Sequence, residues 1–73
     1  MNDNEKIDLI AEVLDVESSR LSPDTVLSEL AEWDSVASLA FIAMLDEHFG
    51  KTIKGAEIRA FKTVRDAMNV MTK

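Results

Sequence analysis

The sequence predicts an all-α fold, a small four-helix bundle built from three main helices and one short one, with a long loop between the first helix and the second. Three observations carry this. Apolar residues recur at three-to-four spacing in three separate stretches. Capping residues stand where those stretches begin and end. Neither strand-like alternation nor an Asn-Gly hairpin signal occurs. The 73 residues make a single domain, 1–73, with no room for two cores. A chain this short buries only about 60% of its unfolded surface, and the usual per-residue scale gives a stability of ~4–11 kcal/mol.

The first helix is expected from about Asp3 to Asp15. Asn2 caps it, with Glu5 three residues on in a box-like arrangement. Ile7, Ile10, Ala11 and Leu14 form its inward stripe, widened by Val13. Residues 16–34 form a long connection, with turn chemistry at Ser18-Ser19 and at Ser22-Pro23-Asp24. So long a loop needs anchors, and Leu21, Val26, Leu27 and Leu30 supply them. A short helical turn falls around Ser28–Ala31.

The second helix starts at Asp34 or Ser35 and is the central one. Val36, Leu39, Ala40 and Ala43 give one apolar flank, extended by Ile42, Leu45 and Phe49, while Phe41 and Met44 make it apolar over much of its circumference. Asp46, Glu47 and His48 mark its wet end, and Gly50 stops it. Ile53 points inward from the next loop. Ala56–Phe61 is a short helical turn with Ile58 and Phe61 inward. Thr63-Val64-Arg65-Asp66 is a capping-box pattern opening the last helix, whose stripe is Val64, Ala67, Met68 and Met71.

A net charge of −6 argues against nucleic acid, whose phosphates would repel it. The charge is uneven. Residues 1–50 hold 12 acids and 2 bases, whereas 51–73 hold 2 acids and 6 bases. A partner therefore meets two electrostatic faces, unless both are only solvated surface. No apolar run reaches the length of a membrane span, and the acidic start is unlike a signal peptide, so a cytoplasmic monomer is the default expectation. With no cysteine, disulfides, Cys-based zinc sites and thiol catalysis are excluded.

The chain does not read as an enzyme. His48 is the sole histidine, placed where its charged form suits a helix C-terminus. The carboxylates are scattered, and Met44, Met68 and Met71 read as core filler rather than metal ligands. Ser35 stands apart. If Asp34 is the N-cap, Ser35 occupies the first helical position with its hydroxyl toward solvent, beside free N–H groups that favour an anion. The plainer reading is an ordinary Asp-Ser helix start.

Taken together, these stretches resemble the acyl carrier protein family along essentially the whole chain. The resemblance runs through the first helix, the loop Leu21-Ser22-Pro23-Asp24-Thr25-Val26-Leu27-Ser28-Glu29-Leu30, the motif Asp34-Ser35-Val36, the helix ending Leu45-Asp46-Glu47-His48-Phe49-Gly50, Ile53, and Thr63-Val64-Arg65-Asp66-Ala67. It implies that Ser35 carries 4′-phosphopantetheine donated from coenzyme A by a phosphopantetheinyl transferase, with the arm's thiol holding acyl intermediates as thioesters for enzymes of fatty acid or specialised biosynthesis. Asp34 would support the motif, and Val36 would replace the usual leucine as the first buried residue after it. Leu39, Ile42, Ile53, Ile58 and Ala60 would line the acyl cavity, and no metal is implied.

The sequence departs from the family's common pattern in ways that suggest a specialised carrier with its own loading ligase. Acids are missing just after Val36 and return only at Asp46 and Glu47. The short third helix and its flanks are basic, with Lys51, Lys54, Arg59, Lys62 and Arg65. Trp33, Val36, Asp46, Glu47, Lys54 and Arg59 are the expected partner contacts, although Trp33 could equally pack over the bundle. Two other readings compete. One is an aminoacyl or peptidyl carrier loaded by an adenylating ligase. The other is an unmodified helical interaction module presenting Phe41, Met44 and Trp33.

Overall fold

The computed structural model describes residues 2–72. Its four helices are α1 (Asp3–Leu14), α2 (Ser35–Phe49), α3 (Gly55–Arg59) and α4 (Val64–Asn69), with short 3-10 turns at Ser18–Arg20 and Leu27–Glu29 in the long loop. Where three main helices were expected, there are two long ones, of 12 and 15 residues, and two short ones, of 5 and 6.

The helix ends follow local chemistry. Asn2 Oδ1 accepts from Glu5 N–H at 2.8 Å, and Asn2 N–H donates back to Glu5 Oε1 at 3.3 Å. Asp15 ends α1 in the left-handed region, at φ 56°, where its N–H reaches the carbonyls of Ala11 and Glu12. Gly50 ends α2 in the same conformation, at φ 62°. At α4, Asp66 Oδ2 accepts from the N–H groups of Lys62 (2.8 Å) and Thr63 (3.1 Å).

The core gathers Ile10, Ala11 and Leu14 of α1, Phe41 and Leu45 of α2, Ile58 of α3, and Val64, Ala67 and Met68 of α4, with Met71 behind them. Phe41 lies at its centre. Trp33 meets it edge-on at 6.1 Å and Phe61 at 5.9 Å, so two flanking aromatics clamp one buried ring.

The long loop is anchored by Leu21 and Leu27, which are buried, and by Leu30, which is partly so. Val26 is exposed and anchors by backbone instead, bridging Thr63 in antiparallel fashion. Around it Leu27 N–H donates to Lys62 O, Val64 N–H to Thr25 O and Arg65 N–H to Pro23 O, each at 2.9 Å. These bonds fasten the loop to the start of α4. Arg20 closes the other side of the loop on Glu32 at 3.1 Å. The loop thus delivers Trp33 and Asp34 to the mouth of α2 in a defined position.

Candidate functional site

The site begins with the cap of α2. Asp34 has extended backbone angles, and its Oδ1 accepts from Ala37 N–H at 2.9 Å. Ser35 is then the first helical residue and is exposed. Its N–H and that of Val36 have no intrahelical partner. The two serines nearby are not equivalent. Ser38 Oγ donates to Asp34 O at 3.0 Å, whereas Ser35 Oγ has no hydrogen-bond partner among the described residues.

Beside Ser35 lies an open groove of about 480 Å³ between α2 and α3. Ser35, Ser38, Leu39 and Ile42 form one wall, Gly55, Ile58 and Arg59 the other, and Trp33 and Asp34 the end. A hydroxyl at the lip, an apolar floor and one cation at the edge suit a phosphate-linked arm carrying an apolar load. The groove brings together Leu39, Ile42 and Ile58 of the five residues expected to line a cavity. Ile53 is packed into the core, and Ala60 is exposed at the end of α3, so neither lines the groove. Gly55, Ser38 and Arg59 were missed as lining; only the turn of α3 against α2 brings Gly55 and Arg59 there.

Val36 is a correction. Expected as the first buried residue after Ser35, it is 72% exposed, and Ala37 holds that place. The reason is angular. At about 100° per residue, Val36 and Leu39 lie roughly 140° and 160° around α2 from Phe41, the residue that the core claims. Leu39 is accordingly 68% exposed, at the groove's outer edge. The buried flank is Ala37, Phe41, Met44, Leu45 and Phe49, so the expected flank of Val36, Leu39, Ala40 and Ala43 faces largely outward. Because Phe41 and Met44 are buried, the surface required by an unmodified interaction module is not formed by those residues.

The remaining candidates are dispersed. Trp33 is partly buried on Phe41 while lining the groove, so it both packs and faces the site. Lys54 is exposed just before α3. Asp46 and Glu47 are exposed some 16–18 Å farther along α2. Glu47 lines a separate groove with Leu9, Glu12, Val13 and His48 on the other side of the buried face. No cluster of three or more metal-ligating side chains occurs among the described residues. No helix among them is long and apolar enough to cross a membrane.

The family model described as a phosphopantetheine attachment site matches residues 7–70. No curated protein and no solved structure gives a match.

Proposed function

The chain belongs to the phosphopantetheine attachment family, and from that premise we propose that Ser35 is its attachment residue, that residues 1–73 act as one carrier domain, and that the domain serves a specialised pathway. Membership makes the chain a non-catalytic carrier whose prosthetic group is 4′-phosphopantetheine, and such domains work with a phosphopantetheinyl transferase and acyl-processing enzymes.

The observation that carries Ser35 is the contrast between the two serines of the groove: the hydroxyl of Ser35 is exposed and free, while that of Ser38 is spent on Asp34 O. On modification Ser35 Oγ would bond to the phosphorus of coenzyme A's pantetheine-bearing phosphate. The pyrophosphate P–O bond would break, adenosine 3′,5′-bisphosphate would leave, and the transferase would take the hydroxyl proton. The bound arm supplies the thiol that this cysteine-free chain lacks. The chain's own part is to hold the hydroxyl outward, to offer the first N–H groups of α2 to the new phosphodiester, and to flank it with an apolar groove.

The specialised role rests on the face that partners would meet. From Ser35 to Met44, α2 carries no charge, and its exposed side chains include Val36 and Leu39. Arg59 borders that face from α3, and Lys54 is exposed just before that helix. A loading ligase suited to it would offer an apolar patch with an acidic rim, contacting Val36, Leu39, Trp33 and Lys54, while Asp46 and Glu47 form a second, distant contact.

Intact mass after incubation with coenzyme A and a broad-specificity transferase tests the attachment site. Wild type and Ser38→Ala should each gain one phosphopantetheine, and Ser35→Ala none. A modified Ser35→Ala, or a folded wild type that no transferase modifies, would overturn the assignment. For the pathway, equal processing of this carrier and the housekeeping carrier by fatty acid synthesis enzymes would defeat the specialised reading. If an adenylating ligase loads amino acids instead, the cargo class is aminoacyl.

A further inference from the structure

We propose that Arg59 is a positioning residue for the prosthetic arm: its guanidinium pairs with the phosphodiester on Ser35 and turns the arm into the groove over Leu39, Ile42 and Ile58. The proposal rests on Ser35 being the attachment residue.

Arg59 is the last residue of α3, yet its side chain runs back along the helix. A Cβ built on Gly55 would stand 3.3 Å from Arg59 Nη1, so the guanidinium lies over the first residue of α3 in space that a larger residue would crowd. Gly55, Arg59 and Ser35 line the same groove. Among the described residues the ion pair is Arg20–Glu32, and Arg59 has no carboxylate within pairing distance. The only other charge lining the groove is Asp34, whose Oδ1 is held by Ala37 N–H.

A phosphodiester on Ser35 would therefore sit next to a fixed carboxylate, which repels it, and across from an uncommitted guanidinium, which attracts it. The planar fork of arginine suits two phosphate oxygens better than a point charge does. Lys54 is not among the residues that line the groove. Because the pair is exposed, it biases the arm's direction without locking it, and salt weakens it. The arm would thus prefer the α3 side to the open face around Val36.

The test uses protein loaded from coenzyme A and verified by mass at Ser35, beside its unmodified form. The Arg59 Nε–Hε resonance should shift on loading. The ³¹P resonance of the diester should move as sodium chloride is raised. In loaded Arg59→Gln, the ³¹P salt response should lose the part due to the arginine, and contacts between the arm and the methyls of Leu39 and Ile58 should weaken, the bound-to-free ratio falling about 1.4- to 5-fold. Arg59→Lys should restore part of the response. An Arg59 resonance unchanged by loading needs no variant to read and overturns the proposal, as does identical ³¹P behaviour in wild type and Arg59→Gln. Failure to load at Ser35 overturns this proposal together with the reading beneath it, whereas a loaded chain with an indifferent Arg59 overturns the proposal alone.

Discussion

Replacing Asp34 separates what the cap does for the fold from what it does for modification. Asp34 Oδ1 satisfies Ala37 N–H at 2.9 Å, one of the free donors at the start of α2. Losing such a cap to alanine costs about 0.5–2 kcal/mol, a sizeable share of the ~4–11 kcal/mol available to a domain of this length. With a urea slope near 1 kcal/mol/M for so small a protein, the Asp34→Ala midpoint should fall by roughly 0.5–2 M. Asparagine caps about as well as aspartate, so Asp34→Asn should recover most of that, short only of the carboxylate's interaction with the helix dipole, about 0.3–1 kcal/mol. The assay is urea unfolding of all three proteins followed by helical circular dichroism, with transferase rates measured on the folded fraction. If Asp34 acts only as a cap, those rates per folded molecule match across the series. If Asp34→Asn is as unstable as Asp34→Ala, or Asp34→Ala loses nothing, the capping argument is refuted. A rate that collapses in Asp34→Asn while stability holds would assign the carboxylate's charge to transferase recognition.

Phe41→Ala should be far more damaging, because its ring is fully buried between Trp33 and Phe61. The expected loss is about 3–5 kcal/mol, visible as a lowered urea midpoint and an altered Trp33 fluorescence. Gly50→Ala meets no atom within 4 Å of the new Cβ, so only the backbone at φ +62° resists it. A loss of about 1–2 kcal/mol in urea unfolding should follow, and Gly50→Asn should lose less. Acid should destabilise the domain through two carboxyls held below their ordinary values: Asp66 by the N–H groups of Lys62 and Thr63, and Glu32 by a backbone hydrogen bond and then by Arg20. Their folded-state values are depressed, so their contribution is complete above the ordinary values of 3.8 for Asp66 and 4.5 for Glu32, and is lost as pH falls through the lower folded ones. Melting temperatures of wild type and Asp66→Asn should therefore converge toward low pH, and a gap that stays constant would contradict that account.

The ends of the helices were legible because their chemistry is local. Asn2 with Glu5, Asp34, Gly50, and Asp66 with Thr63 each act within a few residues, and each stands where the pattern placed it. The stripes of α1 and α4 were legible because polar residues interrupt them, leaving one candidate face. In α2 that discrimination fails, since apolar residues surround the helix and period alone does not choose a side. The choice is made by Phe41, whose ring fits between Trp33 and Phe61, partners 8 and 20 residues away in sequence. The same non-local dependence hid the backbone pairing of Val26 with Thr63. As for the site, Asp34 and Ser35 follow from helix-start chemistry, and the groove beside them depends on how α3 folds back.

The ambiguity of α2 is itself informative about function. A helix needed only for the core would keep apolar residues on one flank and charge on the other, because exposed apolar area contributes nothing to folding. This helix buries Ala37, Phe41 and Leu45 yet leaves Val36 and Leu39 mostly in water, within one turn of Ser35, on a chain of net charge −6 that could readily have placed acids there. Exposure of two such residues side by side, next to the proposed attachment residue, is what a surface kept for transient partners requires. It also accounts for the weak periodicity of the stretch, which has two apolar faces: one is buried in the core against α1, and on the proposed reading the other serves a partner enzyme. An acidic residue at Val36 or Leu39 should therefore leave the unfolding free energy within about 0.5 kcal/mol of wild type while slowing loading by a partner that docks through apolar contact.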